Sequence, residues 1–178
     1  PISIACGNAF MLKPSEKVPQ CSLKLGELLS EAGLPENVFT IVNGDNSVVD
    51  QILQSPDISS VSFVGSTPVA KYIYTECAKY NKRVQALGGA KNHMLIMEDA
   101  NLEDAVNGLI GADFGSAGER CMATSVALPI GRIQKPFMEL LKEKASEIKV
   151  GESLDPQSEM GPLITKEHKQ KVLSYIEK

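Results

Sequence analysis

Short runs of β-branched and aliphatic residues, each followed by a glycine- or proline-marked turn and then an amphipathic stretch, recur along this chain. That alternation is its strongest structural constraint. Strands separated by helix-length amphipathic segments cannot pair as hairpins; they return through right-handed β-α-β crossovers and build a parallel sheet flanked by helices. Gly7-Asn8 terminates an apolar helical end (Ile2 to Cys6), and Ala9 to Lys13 reads as the first strand. The turn-rich stretch Pro14 to Val18 leads to a helix over Pro19 to Ala32, with proline at its first position and Gly33 as its cap. A strand at Val38 to Val42, a helix over 46–54, a strand at Val61 to Val64 and a helix from Ser66-Thr67-Pro68 to Lys79 continue the pattern. Gly88-Gly89 interrupts it. A strand at Met94 to Met97, an Asp/Asn-capped helix over Leu102 to Ala112, a strand at Ser125 to Ile130 and a helix over 134–147 then follow. A surface loop from Gly151 to Pro162 precedes a last helix from Thr165. The double glycine places the domain boundary, giving segments 1–87 and 88–178. The chain opens at Pro1 and closes inside a helical pattern, so it reads as a piece of a longer protein.

Composition removes several function classes. The net charge of −4, with basic residues scattered, disfavours nucleic acid as a partner. No apolar stretch approaches the about 20 residues that span a bilayer. The 4 cysteines, Cys6, Cys21, Cys77 and Cys121, show neither CxxC spacing nor a histidine cluster, which argues against structural zinc and against a disulfide scaffold. A reducing compartment is expected, the cytoplasm first and the mitochondrial matrix as the alternative.

Three places combine residues that can do chemistry. Gly118-Glu119-Arg120-Cys121 sets a thiol beside a fixed cation in a glycine-bearing loop, an arrangement that favours the thiolate and so a nucleophile. Arg120 reads two ways: its guanidinium can hold a substrate carboxylate through paired hydrogen bonds, or it can end in a structural salt bridge. Val64-Gly65-Ser66-Thr67-Pro68 passes from strand to helix, where unpaired N–H groups and the helix dipole suit a pyrophosphate, although many such turns are purely structural. Lys13-Pro14-Ser15-Glu16 brings a cation and a carboxylate to the carboxyl edge of the first strand, the side on which open α/β sheets bind ligands. His93 receives no catalytic role.

The string Phe114-Gly115-Ser116-Ala117-Gly118-Glu119-Arg120-Cys121-Met122-Ala123 closely resembles the nucleophile loop of the aldehyde dehydrogenase superfamily. The resemblance extends over the whole chain. It implies a Rossmann-like NAD-binding domain, a parallel sheet with helices on both faces, in 1–87, and the front of an α/β catalytic domain in 88–178. It implies that Cys121 is the nucleophile and its backbone N–H a candidate oxyanion donor. Lys13 and Glu16 would hydrogen-bond the adenosine ribose of NAD, a carboxylate there repelling the 2′-phosphate of NADP, while Gly44, Gly65 and Ser66 would lie near the pyrophosphate. Where the superfamily often has a second glycine four residues after Gly44, this chain has Val48.

A second departure is more telling. In Ala86-Leu87-Gly88-Gly89 an alanine stands where hydrolytic members carry the glutamate that activates water. The methylmalonate-semialdehyde dehydrogenase branch, which is CoA-acylating, shows the same departure with the flanking strings Arg83-Val84-Gln85 and Gly89-Ala90-Lys91-Asn92-His93. The implied activity is NAD-dependent oxidation of methylmalonate or malonate semialdehyde to propionyl- or acetyl-CoA, with decarboxylation, through a thioester on Cys121, in a homo-oligomeric parent. Other superfamily site residues, an asparagine oxyanion donor and a glutamate at the nicotinamide ribose, fall outside this stretch, so the piece alone is expected to be inactive. A hydrolytic enzyme with a substitute base and a non-catalytic relative remain the alternatives.

Overall fold

Strand β1 (Phe10–Leu12) pairs in parallel with β2 (Phe39–Ile41), in a computed structural model that describes residues 1–177. Phe10 stands opposite Phe39, and their rings stack with centroids 6.0 Å apart, a cross-strand pair that fixes the register. A short helix α1 (Ile2–Ala5) precedes β1. Helix α2 (Gln20–Glu31) makes the crossover between the strands and ends at Ala32, after which Gly33 takes φ +88°. That left-handed turn is the terminator the sequence announced.

The next unit of the pattern is α3 (Asn46–Gln54), β3 (Ser60–Val64), α4 (Thr67–Lys79) and β4 (Arg83–Leu87), with β3 and β4 parallel and in register from Ser60 opposite Arg83 to Val64 opposite Leu87. Both strands alternate exposed and half-buried positions. Val61, Phe63 and Val84 pack on a core of Leu53, Ile73 and Cys77 supplied by α3 and α4. Asp45 caps α3, its carboxylate accepting from the Ser47 N–H at 2.9 Å and from the Ser47 hydroxyl at 2.7 Å. The Ser47 hydroxyl, more than any other contact, holds the Asp45 carboxyl below the usual range. Lys82, almost wholly buried, donates to the carbonyls of Ser55 and Ile58 and so ties the start of β4 to the approach to β3. Those two acceptors compensate the cost of burying a cation.

Strand β4 is an element that the sequence reading treated only as a motif. Arginine, glutamine and a following double glycine hide it, because only Val84 and Ala86 of its three apolar residues turn inward, Leu87 being half exposed.

Beyond Gly88 the chain forms β5 (Asn92–Ile96), α5 (Leu102–Asp113), β6 (Thr124–Pro129), α6 (Gln134–Glu147) and α7 (Lys166–Ile176). β5 and β6 are parallel, with a register shift at Asn92/His93. Ile96, Val106, Leu109, Ile133 and Phe137 form the core between this pair and helices α5 and α6. Asn101 caps α5 by accepting from the N–H groups of Glu103 and Asp104. Thr165 caps α7 by accepting from the His168 N–H at 3.1 Å.

The strands are therefore joined in three parallel pairs, all α/β in construction, and the chain divides into two compact units, Pro1–Gly88 and Gly89–Lys178. Among the described residues no helix is long and apolar enough to cross a membrane.

Candidate functional site

Within the first unit, three of the residues singled out from sequence converge at the carboxyl ends of β1 and β2. Lys13 follows β1 directly. Its ammonium donates to the Pro14 carbonyl at 2.6 Å and to the Gly44 carbonyl at 2.8 Å, so one side chain staples the exits of both strands. Glu16 lies 3.7 Å from the same ammonium, with its carboxylate more than half exposed while the lysine is mostly covered. The cation is thus spent on fixing the backbone, and the carboxylate is left presented to solvent as an acceptor.

Gly44 has φ +154°, and a Cβ added to it would fall 2.3 Å from Cγ2 of Val48. The valine that replaces the expected second glycine covers the backbone of the first. Gly44 must therefore stay a glycine for a packing reason, and its approach to any ligand is narrowed by a branched side chain.

Gly65 and Ser66 lie at the carboxyl end of β3. A Cβ on Gly65 would stand 2.5 Å from Cζ of Phe63, so the glycine makes room for that ring, while its N–H continues the ladder to Leu87 O at 3.1 Å. Ser66 is the N-cap residue of α4, yet its side chain makes no capping hydrogen bond, and Pro68 occupies the first turn. A hydroxyl left out of the cap beside a helix N-terminus is a ready donor for an anion.

The second unit holds Cys121 and Arg120. Between α5 and β6 the segment Gly115–Gly118 turns with left-handed backbone at three consecutive residues: Ser116 (φ 54°), Ala117 (φ 53°) and Gly118 (φ 74°). For the serine and the alanine this costs about 1–3 kcal/mol each, so other contacts must hold the turn. Asn92 at the head of β5 supplies two of them, its amide donating to the carbonyls of Cys121 at 3.0 Å and Ala123 at 2.9 Å. The guanidinium of Arg120 folds back over Gly115, where an added Cβ would meet Nη1 at 2.8 Å. Among the described residues it pairs with no carboxylate, so the structural salt bridge is not formed and the fork keeps its donors.

Cys121 is exposed, and its backbone N–H has no acceptor among the described residues. Cys77 is buried, which pushes its thiol up and makes it inert. Cys6 and Cys21 are exposed as well, so apolar shielding does not distinguish them from Cys121; the loop setting does.

Two contacts at this loop escaped the sequence reading. One is the Asn92 clamp. The other is Glu119, whose Oε1 lies 3.1 Å from Nε2 of His168 on α7. Neither partner is near the loop in sequence, so no local spacing could announce them.

Replacing Asn92 with alanine should remove both clamping bonds and cost about 1–3 kcal/mol. In the full-length protein the amides of 115–123 should then exchange faster with solvent deuterium, and unchanged protection would show that the clamp does not hold the turn.

The chain is α/β, built of parallel strand pairs, with an exposed thiol in the loop that follows a left-handed turn. The particular family is defined by comparison. The model of the aldehyde dehydrogenase family matches residues 1–178, and the chain belongs to that family. It is 51% identical over 177 residues to malonate-semialdehyde dehydrogenase of Halalkalibacterium halodurans, covering 99% of this chain and 36% of that one. A protein of Sinorhizobium meliloti 1021 described as a methylmalonate-semialdehyde dehydrogenase and solved in complex with NAD is 52% identical, with a TM-score of 0.91 over 98% of this chain and 36% of its own. Methylmalonate-semialdehyde dehydrogenase from Oceanimonas doudoroffii is 49% identical, with a TM-score of 0.92 over 99% of this chain and 36% of its own. The chain thus spans about a third of the length of these relatives.

Proposed function

We propose that the full-length protein is an NAD-dependent, CoA-acylating aldehyde dehydrogenase acting on malonate or methylmalonate semialdehyde, with 1–87 its NAD-binding portion and 88–178 the front of its catalytic portion. The observation that carries the reading is an exposed thiol on Cys121, whose backbone N–H has no acceptor among the described residues. The names of the similar proteins support the substrate class, and the NAD bound to one of them supports the cofactor.

The residues present fit NAD. Glu16 offers an exposed carboxylate to ribose hydroxyls, Lys13 holds the Gly44 backbone in place, and Ser66 with the start of α4 offers donors to a pyrophosphate. When bound, that cofactor supplies the hydride acceptor.

In this reading Sγ of Cys121 adds to the aldehyde carbon, and the Cys121 N–H faces the oxygen on which charge develops. The Arg120 fork receives the substrate carboxylate. After oxidation the acyl group is held on Sγ as a thioester. The thiolate of CoA attacks the thioester carbon, the acyl–Sγ bond breaks, and Cys121 is freed. The bond from the α-carbon to the substrate carboxylate breaks, carbon dioxide leaves, and the electron pair left on the α-carbon takes up a proton, matching the one lost by the CoA thiol; the products are acetyl-CoA from malonate semialdehyde and propionyl-CoA from its methyl homologue. The enzyme would work in the cytoplasm, as a homo-oligomer.

Purified full-length protein should form NADH from both semialdehydes, and a failure with both would sink the proposal. The cofactor preference has its own test. Glu16→Gln removes the charge that repels a 2′-phosphate, so the ratio of kcat/KM for NAD over NADP should fall several-fold, mostly through KM for NADP. An unmutated enzyme that uses both cofactors equally would show Glu16 to be misassigned.

A further inference from the structure

We infer that His168 is a positioning residue for Cys121, acting through Glu119; the inference rests on Cys121 being the nucleophile. Glu119 sits two residues before the thiol, directly after the left-handed residues Ser116, Ala117 and Gly118. Its Oε1 is 3.1 Å from His168 Nε2, and both side chains are only partly exposed, at 31% and 43%. The contact is an ion pair when the ring is protonated, and because a carboxylate can only accept, any hydrogen bond between the two has Nε2 as its donor.

Two further observations make this contact more than a surface pair. His168 lies in the first turn of α7, and its own N–H is bound by the capping Thr165 hydroxyl, so the imidazole stands on a fixed backbone. The same helix also borders the loop at a second point, where Ala117, Val172 and Leu173 line one apolar cleft with Val150, Met160 and Leu163. The nucleophile turn is therefore gripped from two sides. Asn92 holds the carbonyls of Cys121 and Ala123, and His168 holds the side chain of Glu119. A strained turn released on one side can rotate about the other, which moves Sγ without unfolding anything. Displacements on the order of 1 Å at a reacting atom cost up to about 100-fold in rate.

The test uses the full-length enzyme, malonate semialdehyde and stopped-flow detection of the first turnover of NADH. His168→Leu should slow that burst about 10-fold while KM for NAD stays within twofold of the unmutated value. His168→Gln, whose amide nitrogen can donate from nearly the same place as Nε2, should recover most of the rate. Glu119→Ala should slow the burst as His168→Leu does, and the double variant should be no slower than either single one. Equal losses in His168→Leu and His168→Gln, or a burst unchanged in both, would overturn the assignment. Cys121→Ser, run alongside, separates the two claims. If it abolishes the burst while His168→Leu does not slow it, only the positioning role is wrong; if it leaves the burst intact, the nucleophile itself has been misidentified.

Discussion

Cys121→Ser in the full-length enzyme should lower NADH formation from malonate semialdehyde by about 10⁴-fold or more, while Cys21→Ser leaves it within twofold. Loss of a covalent nucleophile commonly costs this much, because the remaining binding groups stabilise a transition state that no longer forms. The comparison is informative because both thiols are exposed, so accessibility alone predicts similar alkylation and similar consequences. What differs is the setting: Cys21 lies on the regular helix α2, whereas Cys121 follows a left-handed turn and has its carbonyl clamped by Asn92. Mass spectrometry after limiting iodoacetamide should find Cys121 modified before Cys6 and Cys21, and NAD binding should alter its rate. Retained activity in Cys121→Ser would require another nucleophile, and with it another family-wide reading of this loop.

Removing CoA should leave a single rapid turnover and then a steady state slower by about 10²- to 10⁴-fold, the usual worth of general-base assistance. The physical reason is Ala86. It lies on β4 opposite Phe63, and a methyl group has no proton to take from water. A thiol co-substrate needs no such help, since its own ionised form is a strong nucleophile. The burst amplitude should approach one NADH per active site with or without CoA, because acylation precedes the step that CoA accelerates. If the steady-state rate is unaffected by CoA and the free acid is the product, hydrolysis is the native route and a base elsewhere in the full-length enzyme must replace the missing glutamate. Ala86→Glu is a weaker probe, because a carboxylate without supporting contacts gains no defined orientation.

Much of the architecture was readable from residue order alone, and the reasons are local. Gly33 terminates α2 because a left-handed residue is needed there, and Asn101 and Thr165 begin α5 and α7 by satisfying N–H groups of the first turn. The β3 and β5 segments announce themselves by aliphatic content. β4 does not, since only Val84 and Ala86 of its residues turn inward and its identity as a strand comes from pairing with β3. The same division holds for the candidate site. Cys121, Arg120, Lys13, Glu16, Gly44, Gly65 and Ser66 are recognisable as residue types in characteristic strings. What those strings conceal is why each backbone is shaped as it is: Val48 packed over Gly44, the Phe63 ring over Gly65, the Lys13 ammonium spent on the Gly44 carbonyl. These are tertiary contacts, and periodicity carries no information about them.

The Asn92 clamp has a consequence for the order of events during folding. Its two hydrogen bonds join positions 29 and 31 residues apart, and they form only when the head of β5 has come beside the entry to β6. Closing a loop of that length costs entropy before any contact repays it. The left-handed turn before Cys121 is locally unfavourable, and until then it lacks the Asn92 bonds and keeps only local ones such as Ala117 N–H to Phe114 O and Glu119 N–H to Ser116 O. A nascent or partly folded second unit therefore carries an ordinary, flexible cysteine, and the shaped nucleophile appears only with the closing of the parallel pair. Reactivity at Cys121 would then serve as a clock for completed folding, read by a thiol reagent rather than by any change in helix content.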